Sequence, residues 1–83
     1  MYRIQVLPRA LKDIAGLPKD YARLVGQHID GLAQEPRPPG AKKLRGTKDH
    51  SLRVGTYRIL YDIDSDAHVV TVYRVKHRRE AYR

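Results

Sequence analysis

Two arginines interrupt an apolar pattern in the stretch LRVGTYRILY, residues 52–61. The stretch is typical of the end of one β-strand, a tight Gly-Thr turn at 55–56, and the start of a second strand. Successive side chains of a strand point to opposite faces. If the apolar residues face a core, Arg53 and Arg58 emerge on the other face, where a guanidinium group binds phosphate oxygens two at a time.

Further basic residues lie on both sides of this stretch. The tail VKHRREAY, residues 75–82, adds His77, Arg78, Arg79 and Tyr82. Before the strands, the segment AKKLRGTKDH surrounds one apolar anchor with Lys42, Lys43, Arg45 and Lys48. Charge runs of this kind are usually only solvated, but this one leads directly into the arginine-bearing strands, which favours phosphate contact.

The distribution of charge agrees with such a surface. The net charge is +8; residues 1–36 hold five Lys/Arg against four Asp/Glu, and residues 37–83 hold twelve against five. A basic half on a small domain indicates a polyanion or an acidic protein as partner. The alternative is a charged surface that only keeps the protein in solution.

Length and composition bound the class of protein. A chain of 83 residues is expected to form a single domain, 1–83. The absence of cysteine excludes disulfides, zinc–thiolate sites and thiol nucleophiles. No apolar run reaches the roughly 18 residues of a membrane span, and the N-terminus lacks the apolar region of a signal peptide. We therefore expect a cytosolic protein without a membrane partner.

The elements that position these residues follow from periodicity. Alternation predicts a first strand at 2–7, and helical spacing predicts two helices, at 9–17 and from Pro18 to about Ala33. After a proline-rich loop, strands are predicted at 51–54, 57–63 and 68–76, the last apolar on both parities and therefore central or covered twice. The order β-α-α-β-β-β predicts an α+β fold, with a helical hairpin on one face of a mainly antiparallel four-stranded sheet.

Most catalytic patterns are missing. The four histidines lack ligand spacing, and there is no Gly-rich phosphate loop, no GxSxG motif and no complete EF-hand, so we expect no metal site and no cofactor. Metal-free phosphoryl transfer on RNA remains, because RNA supplies the ribose 2′-OH as nucleophile. The protein must then provide a proton acceptor, cations for the charged phosphorane, and an acid for the leaving 5′-oxygen.

Over essentially all its residues the chain resembles RelE-type toxins of the RelE/ParE superfamily, the toxin half of bacterial type II toxin–antitoxin pairs. The resemblance rests on LRVGTYRILYDID (52–64), VYRVKHRREAYR (72–83) and KKLRG (42–46). It implies a RelE-like fold and a ribosome-dependent endonuclease that cuts mRNA in the ribosomal A site. It also implies a RelB-like antitoxin, whose complex with the toxin binds operator DNA through the antitoxin.

The resemblance also assigns roles to residues. Arg58 matches the arginine that stabilises the phosphate, Arg78 the tail arginine that stabilises charge or protonates the leaving group, and Tyr82 the tyrosine that stacks on the nucleotide. Arg53 lies near a family lysine, whereas Ser51 stands where a second lysine is usual. His77 is then a candidate general base, because related toxins use a tail histidine. The resemblance implies that the remaining basic residues bind ribosomal RNA: Lys42, Lys43, Arg45, Lys48 and Arg79.

Other interpretations of these residues stay open. Arg53 and Arg58 are equally suited to ion pairs with Asp62, Asp64 or Glu80. His77 shares its parity with Tyr73 and Val75, so it is also suited to partial burial in a structural role. Two other functions also remain: a ParE-like toxin that inhibits DNA gyrase without nuclease chemistry, and a binding module without activity. His77, Arg78 and Tyr82 together favour the nuclease.

Overall fold

Five strands and two helices make up the part of the chain that the computed structural model describes, residues 1–47 and 49–79. The α+β class and the order of one strand, two helices and a run of strands are confirmed. In chain order the elements are β1 (Arg3–Val6), α1 (Pro8–Ala15), α2 (Lys19–Gly31), β2 (Ala41–Lys43), β3 (Asp49–Val54), β4 (Tyr57–Asp64) and β5 (Val69–His77).

The strands form one sheet in the order β1-β5-β4-β3-β2. β1 runs parallel to β5, and the other neighbouring pairs are antiparallel. A parallel pair requires a long crossover connection. Both helices belong to that connection, together with β2, β3 and β4.

The sheet has one strand more than the four that were predicted. β2 lies in the segment expected to be a basic loop, and it pairs antiparallel with β3. The pairing continues just beyond it, where the Leu44 N–H donates to the Asp49 carbonyl at 2.8 Å. A three-residue strand is too short to show an alternation of faces, so the residue pattern gave no sign of it.

The hydrophobic core lies between the helices and one face of the sheet, called here the helix face. Of the apolar residues whose helical spacing predicts α2, Val25 and Ile29 are buried, as is Leu32 just after the helix, whereas Leu24 is 40% exposed. No helix in the described ranges is long and apolar enough to cross a membrane. The buried strand residues opposite the helices are Leu52, Val54, Ile59, Tyr61, Val70, Val72 and Val75.

A β-bulge at Tyr73 divides β5 into two halves. The ladder with β4 skips this residue, and an extra residue shifts the phase of the alternation. As a result Val70 and Val72 before the bulge, and Val75 after it, are all buried in the same core. The bulge accounts for a strand that is apolar on both parities, and β5 is internal to the sheet, between β1 and β4.

A two-residue turn joins β3 to β4 and fixes their register. Val54 pairs with Tyr57, and Gly55 between them has φ 61°, which suits a tight hairpin turn with glycine first. A Cβ atom at Gly55 would lie 2.7 Å from Cε1 of Tyr21. Glycine therefore serves both the backbone conformation and the close approach of α2.

Candidate nucleic-acid interface

Three cations form a row on the face of the sheet turned away from the helices, called here the far face. Arg53 of β3 pairs with Arg58 of β4, and Arg58 pairs with Lys76 of β5. Directly opposite residues have Cβ atoms about 5 Å apart. These residues, called here the cation row, therefore leave the sheet within about 10 Å of one another.

The three members of the cation row carry the same charge. Like charges directly opposite each other destabilise a sheet by up to about 1 kcal/mol per pair. Arg53 is exposed, and its Nε–H donates to the Gly55 carbonyl at 3.1 Å. Arg58 is half-buried as a whole, and its Nε atom is fully buried. The row thus concentrates three positive side chains on one part of the far face. Nowhere in residues 1–47 and 49–79 do three or more His, Asp or Glu cluster to hold a metal ion.

A neighbouring cation of β5 is engaged elsewhere. The Arg74 guanidinium donates to both carboxylate oxygens of Asp13 in α1, at 2.8 and 3.2 Å, and the Val75 N–H donates to the same carboxylate at 2.9 Å. Burial raises the pKa of Asp13, but the hydrogen bonds and the charge of Arg74 lower it further, so the pKa lies below its ordinary value. This contact fixes the second half of β5, and with it Lys76, against α1.

Backbone contacts bring the start of the basic tail to the same end of the sheet. The Arg78 N–H donates to the carbonyl of Thr56 in the hairpin turn at 2.7 Å. The Arg79 N–H donates to Nδ1 of His77 at 3.3 Å. Both arginine side chains are exposed, and Arg78 thus joins the end of the sheet that carries the cation row.

His77 lies on the helix face, away from the cation row. As its parity with Val75 predicted, it is half-buried, and it pairs with Tyr57 across the β4–β5 ladder. The two rings meet edge-on with centroids 5.6 Å apart, and the Tyr57 ring lies 4.9 Å from that of Tyr21 in α2. The structure therefore does not bring His77 together with Arg58.

The basic segment divides between the two faces. Lys42 pairs with Ser51 and shares the far face with the cation row, whereas Lys43 is the next residue of β2 and points to the helix face. Arg45 lies in the following turn, where it and Lys43 line an open depression of about 540 Å³. Lys48 and Tyr82, also predicted as site residues, lie outside the described residues.

The opposite end of the far face is acidic. Asp62 pairs with Asp49 of β3, so the register does not place it opposite Arg58. Burial raises the pKa of Tyr73, as do a hydrogen bond to Asp49 and the charges of Asp49 and Asp62. The Tyr73 phenol therefore remains a neutral donor at neutral pH. The far face attracts a phosphate at the hairpin end and repels one at the other.

Lys76 is the site residue that sequence reasoning missed. The register of Arg53 with Arg58 is local, because a two-residue turn sets it. The register of Lys76 with Arg58 depends on the bulge at Tyr73, which is a property of the pairing between β4 and β5. The one signal in the sequence is that β5 is apolar on both parities, which a shift of phase explains.

Known proteins resemble this chain over nearly its whole length. A family model described as the ParE toxin of the type II toxin–antitoxin system parDE matches residues 4–82. Toxin RelG of Mycobacterium tuberculosis is 36% identical, over 99% of this chain and 97% of RelG. The RelBE2 toxin–antitoxin complex of the same organism contains a chain that is 33% identical, with a TM-score of 0.82 over 92% of this chain and 96% of that chain. The archaeal RelE–RelB complex of Pyrococcus horikoshii OT3 gives a TM-score of 0.85 at 29% identity, over 96% and 98% of the two chains.

Proposed function

Because the chain belongs to the RelE/ParE superfamily of type II toxin–antitoxin toxins, we propose that it is a ribosome-dependent mRNA endonuclease. It cuts translated mRNA in the ribosomal A site and so inhibits translation. The observation that carries this proposal is the cation row. Three cationic side chains that leave the sheet within about 10 Å of one another suit the phosphate that gains negative charge during RNA cleavage.

The reaction needs no metal or cofactor. The ribose 2′-oxygen attacks the adjacent phosphorus while its proton passes to a base, and the bond from phosphorus to the 5′-oxygen breaks as that oxygen takes up a proton. In this scheme Arg58, flanked by Arg53 and Lys76, holds the non-bridging phosphate oxygens. Arg78 stabilises or protonates the leaving group, and Tyr82 stacks on the nucleotide. DNA lacks the 2′-OH and therefore cannot be cut by this reaction.

The partners follow from the charge and from the relatives. Two similar solved structures are complexes of a toxin with its antitoxin, and a cognate RelB-like antitoxin is proposed to cover the basic surface here. Operator DNA is then reached only through the toxin–antitoxin complex. Ribosomes and mRNA are the targets in the cytoplasm. The basic residues proposed to contact ribosomal RNA are Lys42, Lys43, Arg45, Lys48 and Arg79.

The second candidate function is inhibition of DNA gyrase without RNA cleavage. It is favoured by the description of the matching family model as a ParE toxin. Binding to gyrase does not require this row of three cations on one face of the sheet. The relative named RelG and the two RelE-type structures also favour the nuclease.

Primer extension on a defined mRNA in a purified translation system tests the proposal. We expect discrete cuts at A-site codons only when ribosomes are present. We expect the cleavage rate of Arg58→Ala to be lower by about 10²- to 10³-fold, because one charge-stabilising donor is removed. Arg23→Ala is the matched control, since it removes an exposed arginine on α2. Absence of cuts together with inhibited supercoiling by gyrase would refute the nuclease and support the second candidate.

A further inference from the structure

His77 connects the basic tail to the core of the protein. Its ring meets the Tyr57 ring edge-on at 5.6 Å, and Tyr57 packs against Tyr21 of α2 at 4.9 Å. Its Nδ1 accepts a hydrogen bond from the Arg79 N–H at 3.3 Å. One side of the imidazole is therefore held by aromatic packing, and a ring nitrogen holds the backbone of the tail.

Arg78 lies between these two contacts. Its own N–H donates to the Thr56 carbonyl at 2.7 Å, so consecutive backbone N–H groups bind the hairpin turn and His77. The exposed Arg78 side chain consequently starts from a backbone that is fixed on both sides. A displacement of about 1 Å in a group that acts on substrate can cost about a hundredfold in rate, so this backbone matters for any reaction that uses Arg78.

The same geometry separates the imidazole from the cation row. Arg58 and Lys76 pair on the far face, whereas Tyr57 and His77, each adjacent in its strand, pair on the helix face. A general base must come within about 3 Å of the proton that it removes, directly or through one water. A phosphate on the cation row lies on the other side of the sheet from the imidazole.

We infer that His77 is a positioning residue, which sets the place of Arg78 relative to the cation row, and that it does not take the proton of the 2′-OH. The inference rests on the proposed function, since it assumes that Arg78 acts on RNA. The two contacts of His77, with Tyr57 and with Arg79, are the means by which it acts.

Three substitutions separate positioning from proton transfer. His77→Phe keeps a ring against Tyr57, His77→Asn keeps a side-chain acceptor for the Arg79 N–H, and His77→Ala removes both; none is a base at neutral pH. His77→Phe loses only the hydrogen bond and His77→Asn loses only the ring contact, and each is worth about tenfold or less. We therefore expect both variants to cleave RNA within about tenfold of the wild-type rate, and His77→Ala to cleave about a hundredfold more slowly.

A general base predicts a different pattern. The cleavage rate of all three variants would then be lower by the same factor, about 10²- to 10⁴-fold. The fall in rate on the acidic side of the pH profile would also disappear in each variant. Positioning predicts instead that this side of the profile is retained in Phe and Asn. Equal inactivity of the three variants with a changed profile would overturn the inference while leaving the nuclease intact.

Amide hydrogen exchange provides a readout that does not need RNA cleavage. We expect the Arg79 N–H to be protected in wild type and in His77→Asn, and to exchange faster in His77→Ala and His77→Phe, with equal thermal midpoints showing that the variants are folded. Unchanged exchange in His77→Ala would overturn the inference. If wild type did not cut RNA, the proposed function would fail, and the exchange data would still decide whether His77 holds the tail.

Discussion

Replacement of Lys76 is expected to weaken action on RNA without loss of stability. Lys76 lies directly opposite Arg58 in the β4–β5 ladder, and both side chains are positively charged. Like-charge pairs in sheets cost at most about 1 kcal/mol, so Lys76→Ala should add between zero and about 1 kcal/mol to the free energy of unfolding. Lys76 also lowers the pKa of Asp13, as the smallest contribution, which offsets part of the gain.

Lys76→Ala is expected to weaken RNA binding, although it does not weaken the fold. Every phosphate that a protein ceases to neutralise in a complex with single-stranded nucleic acid reduces the slope of log K against log salt by about 0.7. Lys76→Ala should therefore bind an RNA oligonucleotide with a slope lower by about 0.7. We also expect cleavage about tenfold slower at low salt, equivalent to about 1.4 kcal/mol of phosphate binding. Lys76→Arg keeps the charge and should restore both quantities.

Urea unfolding and fluorescence anisotropy between about 50 and 200 mM salt measure the two effects. Lys19→Ala is the control, because Lys19 is an exposed lysine at the start of α2, away from the row. RNA binding by Lys76→Ala with the wild-type slope would show that the cation row is not the phosphate site. A loss of more than about 1 kcal/mol in stability would show that Lys76 mainly supports the fold.

Two further predictions concern the elements that hold the site. Gly55→Ala should cost about 1–3 kcal/mol more in urea unfolding than Gly46→Ala, because both have positive φ but only a Cβ at Gly55 meets Tyr21; equal losses would mean that the tyrosine moves aside freely. The pKa of Asp13 is lowered in the folded state, so its carboxylate stabilises the fold above about pH 4 and this stability is lost as the pH falls through the folded pKa. The difference in unfolding free energy between wild type and Asp13→Asn should be constant above about pH 5 and should close as the pH falls below about 4; a difference that does not change with pH would contradict an ion pair with Arg74.

The parts of the fold that are local in sequence could be predicted. The stripe of α2 buries Val25 and Ile29 as its spacing indicates, and the Gly-Thr turn sets the β3–β4 register. β2 and the bulge at Tyr73 could not be predicted, because both depend on the backbone hydrogen bonds made with a neighbouring strand. Three residues of β2 carry no pattern, and a bulge disturbs the alternation that reveals a strand.

The site divides in the same way. The turn predicted that Arg53 and Arg58 share a face, and the strand parity of His77 predicted the partial burial that the structure shows. The same parity placed Tyr73 on the face of His77, which is wrong because the bulge shifts the phase there. The place of Lys76 in the row required the pairing of β4 with β5. The resemblance to known toxins supplied roles for the arginines, but it says nothing of which face of the sheet each residue occupies.

The bulge at Tyr73 decides what the end of β5 can do. Without it, the alternation that buries Val70 and Val72 would continue and turn Lys76 towards the helices, where burial of an unpaired charge costs several kcal/mol, roughly. The same shift would carry His77 to the far face, since a one-residue change of phase exchanges every side chain. With the bulge, Lys76 lies on the far face beside Arg58, and His77 lies on the helix face beside Tyr57. Loss of the bulge should therefore abolish phosphate binding and tail positioning together, whereas substitutions at Lys76 and His77 remove them one at a time.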